Sequence, residues 1–111
     1  MHFNEISEFS KELKQLSKKY LSLDEDLDEF KKIVAAIPFG TGKHFNVITR
    51  DSGAVIVKAR FFCKYLKGSS LRVIYSYMQQ TETIEFIELY SKSNKANEDR
   101  ERIKYYLSQY V

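Results

Sequence analysis

Between Ser52 and Thr81 the chain carries five basic side chains, Lys58, Arg60, Lys64, Lys67 and Arg72, and no acid. The net charge over all 111 residues is only +3, so this stretch concentrates a positive field that the rest of the molecule dilutes. Lysine offers a compact ammonium and arginine a planar fork that donates to two oxygens at once. Together they suit a phosphate backbone. Later in the chain Glu88, Tyr90 and Lys92 recur at steps of two, which adds a phenol and a further cation. Aromatic rings interleaved with cations are the equipment of single-strand nucleic-acid sites.

These residues are useful only if the backbone gathers them. From Phe45 onward the apolar period approaches two, and Asp51-Ser52-Gly53 is a turn signal between a short strand and a longer one. Three strands are expected at about Ala54 to Leu66, Leu71 to Met78 and Thr83 to Ser91, joined by links short enough to require antiparallel neighbours. Alternation puts Val55, Val57, Ala59, Phe61, Cys63 and Tyr65 on a core face and Ile56, Lys58, Arg60, Phe62 and Lys64 on the other. On the next strand Leu71, Val73, Tyr75 and Tyr77 form the apolar set, leaving Arg72 opposite. One surface then collects Lys58, Arg60, Arg72 and Lys92.

Before the strands, Ile6, Phe9, Leu13, Leu16 and Tyr20 mark one amphipathic helix, and Leu27, Phe30, Val34 and Ile37 a second that ends at Pro38. Ser22 and Glu25 have the spacing of a capping box. The short link makes the pair an antiparallel helical hairpin. Ile103, Tyr106, Leu107 and Tyr110 predict a terminal helix. The fold class is α+β: an N-terminal helical hairpin on a twisted, mainly antiparallel sheet of about four strands, with a short C-terminal helix, all in one domain spanning 1–111.

Composition excludes several classes. Hydrophobic content of 43% with 30% charged residues belongs to a folding globular chain, and no apolar run approaches the roughly 20 residues of a membrane span. MHFNEISEFSKEL lacks the apolar core of a signal peptide, so a cytoplasmic location is expected. One cysteine and two separated histidines do not supply a zinc site made only from His and Cys, and neither a metal nor a cofactor is expected. The GTGK around Gly42 lacks the spacing of a P-loop.

The helical segment FSKELKQLSKKYLSLDEDLDEF, the strands AVIVKARFF and SLRVIYSY, and the closing IEFIELYSKSNKANEDRERIKYYL, in this order, resemble the RelE/ParE superfamily, the toxins of type II toxin-antitoxin modules. The resemblance implies a toxin neutralised by a cognate antitoxin in a hetero-oligomer. In its RelE branch the activity is ribosome-dependent cleavage of messenger RNA, leaving a 2′,3′-cyclic phosphate. Carried over by position, Lys58, Arg60, Arg72 and Lys92 are the catalytic set. Lys64, Lys67, Tyr90 and Lys95 are the residues expected to bind RNA beside them. Arg72 would stabilise the charge on the phosphate. Lys58 would act as base provided neighbouring cations lower its pKa. Tyr90 would stack on a base or protonate the leaving oxygen. Where some branches use a histidine near the last strand or a glutamate on the central strand, this chain has Lys92 and no glutamate.

Plainer readings stand beside these. The basic residues of the central strand also suit a solvated sheet face, Arg72 could pair with Glu88, and Cys63 reads as a small buried hydrophobe. NKANEDRERIK reads as a solvent-facing helix start capped by Asn94 or Asn97. At the level of function, a ParE-like toxin that binds DNA gyrase and a catalytically inactive antitoxin- or nucleic-acid-binding module are the alternatives.

Overall fold

The computed structural model describes residues 1–40 and 42–109, so the expected helical position Tyr110, like Thr41, lies outside the described residues. Its sheet has five strands, not four: β1 (His2–Glu5), β2 (Phe45–Asp51), β3 (Ala54–Cys63), β4 (Gly68–Met78) and β5 (Thr83–Ser91), in the order β1-β5-β4-β3-β2. The helices are α1 (Ser7–Lys19), α2 (Leu23–Ala36) and α3 (Arg100–Ser108), with a 3₁₀ turn at Gly42–His44 before β2.

β1 corrects the expectation of about four strands opened by an N-terminal helical hairpin. It precedes the helices and pairs parallel with β5, His2 opposite Thr83 and Glu5 opposite Phe86. Four residues with one apolar side chain carry no periodic signal. What holds them is a partner some 80 positions away in the chain, through His2 N to Glu82 O at 2.9 Å and Ile6 N to Phe86 O at 3.1 Å. Beyond Phe86 the outer edge of β5 has no strand beside it among the described residues. There the Glu12 carboxylate of α1 accepts from Leu89 N at 3.1 Å and Arg102 of α3 donates to the Ile87 carbonyl at 3.0 Å, so side chains complete the edge.

The helical stripes fall where the periodicity puts them. Phe9 of α1 and Leu23, Leu27, Phe30 and Val34 of α2 are buried against Val57, Ala59, Phe61, Val73, Tyr75 and Phe86 of the sheet. Phe30 is the hub, within 5.4 to 6.3 Å of the rings of Phe45, Phe61, Tyr75 and Phe86. Pro38 ends α2 because its ring forbids the preceding residue a helical turn. The Pro38 carbonyl instead accepts from the Tyr75 hydroxyl at 2.7 Å. Gly40, at φ +69°, is required next: a β-carbon there would lie 2.0 Å from the Phe45 ring.

Turns refine the strand limits. Ser52 and Gly53 both take positive φ, the I′ geometry that suits a two-residue hairpin between β2 and β3. β3 stops at Cys63, three residues earlier than expected, and β4 starts at Gly68, three residues earlier. Lys64 and Lys67 therefore lie in a turn, and Tyr65, expected in the core, is 56% exposed. The reason is Ser22 and Asp26. Rather than a capping box with Glu25, the Ser22 hydroxyl donates to Asp26 Oδ2 at 2.7 Å and accepts from Tyr65 N at 2.9 Å, while buried Asp26 accepts from Lys64 N at 3.2 Å. These bonds anchor the start of the turn to α2.

On the sheet face away from α1 and α2, Ile56, Ile74, Ile87 and Tyr90 are covered by Ile103 and Tyr106 of α3. The cap of α3 is Asp99, which accepts from Arg102 N at 3.0 Å; neither Asn94 nor Asn97 fills that place. No helix among the described residues is long and apolar enough to cross a membrane.

Candidate functional site

α3 covers only part of its face, and the part left open carries the basic residues. Register places Arg60 opposite Arg72, Arg72 opposite Tyr90, and Lys58 between Asn46 and Ile74. Directly opposed residues share a face, and Val57, Ala59 and Phe61 between them point to the helices. Lys58, Arg60 and Arg72 thus face the same way, and Lys92, the first residue after β5, joins them. All four line one shallow depression of about 160 Å³ with Lys43, His44 and Asn46. Small-molecule cavities generally exceed about 300 Å³, so the space fits one charged group of a larger ligand.

Like charges directly across a sheet destabilise it by about 0.2–1 kcal/mol. Among the described residues no carboxylate separates Arg60 from Arg72; the ion pairs lie elsewhere. Burial, and then the charge of Arg60, hold the Arg72 guanidinium below the ordinary arginine range. It remains a cation regardless. Two of its donors are turned inward, NH1 bonding the carbonyls of Ser69 at 2.5 Å and Leu71 at 3.0 Å, which fixes the plane of the fork.

Lys58 differs from its expected state. Its ammonium bonds Glu98 Oε1 at 2.9 Å, while Arg100 Nε bonds the other oxygen at 2.6 Å. Burial pulls the Lys58 pKa down, but the hydrogen bond to Glu98 and the nearby Tyr90 phenol outweigh it and the net shift is upward. Burial pulls the Glu98 carboxyl up, yet the Lys58 bond prevails and its pKa is lowered. The condition for Lys58 as a base, a pKa lowered by its neighbours, is not met: the ammonium form is the favoured one.

The remaining expected residues separate. Tyr90 is buried at 6% exposure, with Lys95 Nζ over its ring at 5.1 Å, so it has no open face for a base. Its hydroxyl makes no hydrogen bond of ordinary geometry among the described residues. Lys95 pairs with buried Glu88, which also accepts from Asp99 N at 2.8 Å, and Glu88 is therefore not the partner of Arg72. Lys64 lines a separate apolar groove of about 510 Å³ with Phe30, Ile33, Phe45 and Phe62; His44 and Arg60 border both. Lys67 is exposed in the β3–β4 turn and lines neither.

Sequence reasoning missed Glu98, Lys43, His44 and Asn46. Glu98 sits in a charge-dense run that looks solvent-facing, and nothing local announces that it folds back onto β3. For His44 and Asn46 a signal existed. Extending the alternation of β2 backward from apolar Phe45 and Val47 puts residues 44 and 46 on the basic face.

No protein-family model and no curated protein matches the sequence. Among solved structures the chain is similar to RelE of the archaeal RelE-RelB complex from Pyrococcus horikoshii OT3, with a TM-score of 0.62 and 20% identity over 82% of this chain and 93% of that one. The likeness establishes a RelE-type fold, in accord with the resemblance read from the sequence.

Proposed function

We propose that this chain is the toxin of a toxin–antitoxin pair and that its basic depression cleaves messenger RNA on the ribosome. The observation that carries the reading is the Arg60–Arg72 pair, two arginines directly opposite each other across β3 and β4 and paired with no carboxylate among the described residues. An anion is what such a pair lacks, and a phosphodiester supplies one. In this reading Arg72 and Arg60 hold the non-bridging oxygens and stabilise the charge that grows as the ribose 2′-hydroxyl attacks. Lys58, held protonated by Glu98, contributes a further cation. Lys92, exposed at the rim, steers the adjoining backbone.

The solved relative is a complex with RelB, and the surface here suits a comparable partner. An antitoxin segment with acidic side chains for the depression and apolar ones for the adjoining groove would mask the site. The gyrase-binding reading drew its support from a lack of acid–base residues at the expected positions. His44 beside the depression and Glu98 on Lys58 weaken that support.

The test is induced expression in bacteria of wild type beside Arg72→Ala, with primer extension on an abundant message. Cuts at translated codons that vanish in the variant are expected. Growth arrest without cuts would overturn the nuclease in favour of gyrase, and no arrest would indicate a binding-only protein.

A further inference from the structure

A phosphodiester cleaved by its own 2′-hydroxyl needs a group to take that hydroxyl's proton. The side chains lining the depression narrow the choice. Arginine and lysine are cations at neutral pH, which removes Arg60, Arg72, Lys43 and Lys92. Lys58 is tied as an ammonium to Glu98 at 2.9 Å. Glu98 itself spends both oxygens on Lys58 and Arg100. Asn46 does not ionise. His44 is the one side chain left among the described lining residues, and histidine is the side-chain type that exchanges a proton near neutrality.

Its position is built by the fold. Phe45, the next residue, pairs with Ala59 of β3 and points to the helices, where its ring stacks on Phe30 at 6.3 Å. Gly40 gives that ring room to pass. With Phe45 partly buried on the helix side, residue 44 shares with Arg60 the lip between the basic depression and the apolar groove. The charged groups that line the depression with it are Lys43, Lys58, Arg60, Arg72 and Lys92. On the groove side they are Asp26, Glu29 and Lys64.

We infer that His44 is the general base of the cleavage, with the Lys58 ammonium as the acid; this rests on the nuclease reading above. The neutral imidazole takes the 2′-hydroxyl proton as the O2′–P bond forms. The P–O5′ bond breaks, and the departing 5′-oxygen takes a proton from Lys58. The products are a 2′,3′-cyclic phosphate and a free 5′-hydroxyl, and solvent returns imidazolium and amine to their starting states.

Single-turnover cleavage of a message on purified bacterial ribosomes, followed against pH, tests this with wild type, Arg72→Ala, His44→Gln and His44→Ala. Binding is measured in parallel to ribosomes carrying the same message with a 2′-deoxy residue at the cut. His44→Gln is expected to slow cleavage by about 10²–10³-fold. It should also lose the acid limb of the rate profile while binding within about twofold, and added imidazole should partly restore His44→Ala. If wild type cleaves, Arg72→Ala does not, and His44→Gln keeps the wild-type rate and profile, the inference falls and the nuclease stands. If His44→Gln is slow but keeps the acid limb, and imidazole restores nothing, His44 is not the base. If wild type cuts nothing, both fall.

Discussion

Around β5 and around β3 the same sheet face treats charge in opposite ways. At β5, Glu88 is fully buried between Lys95 and the Asp99 amide, and Glu12 holds Arg102 through paired bonds of 2.9 and 3.0 Å. Every such group has an opposite charge or a backbone donor or acceptor, and the result ties α1 and α3 to a half-open strand. Across β4 and β3, Arg72 and Arg60 stand opposite each other with no acid between them among the described residues. Partnered charges answer a structural need that the chain meets internally, whereas an opposed like-charged pair is a local inconsistency of the kind proteins tolerate where a ligand completes the arrangement. Glu98 stands at the border, a buried acid placed on one cation of the open cluster.

The contrast predicts where a substitution costs stability and where it costs function. Glu88→Ala removes the acceptor shared by Lys95 and the Asp99 amide and should lower unfolding free energy by about 1–3 kcal/mol in urea melts. Arg72→Ala should reduce cleavage by about 10²–10³-fold, with stability within about 1 kcal/mol of wild type. A large loss of stability there would place Arg72 with the structural charges. Glu98→Gln should cost about 2 kcal/mol and flatten the pH dependence of stability.

The signs of that dependence follow from the two shifts. Glu98, lowered from 4.5, stabilises above its unfolded value and loses this as pH falls through its folded one. Lys58, raised from 10.5, stabilises below that value and loses this as pH rises through its folded one. The pair is at full strength between about pH 4.5 and 10.5 in the wild type. The smallest effect is expected of Arg60→Gln, which relieves the repulsion and should raise stability by about 0.2–1 kcal/mol, seen as a higher urea midpoint.

Much of this was legible beforehand, and the misses share a cause. The helical stripes, the three longer strands and the common facing of Lys58, Arg60 and Arg72 follow from periods of 3.6 and 2, which are properties of a dozen adjacent residues. β1 was not legible because its four residues are a strand only by virtue of β5. That Tyr90 and Lys95 are not open to RNA was not legible, because residue type does not reveal that α3 covers the one and that Glu88 of β5 occupies the other.

From sequence alone, then, came the helical and strand segments, the two faces of the sheet and the side on which the cations gather, since local steric periodicity and charge decide those. Only the tertiary structure decided which cations stay open. Glu88 and Glu98 each choose a lysine brought beside them by folding, over separations of 7 and 40 residues. His44 joins the basic cluster where Phe45, beside it, packs partly buried against the core on the opposite side. Long-range burial and pairing set the protonation and exposure on which the chemistry depends, and no local pattern of residues encodes them.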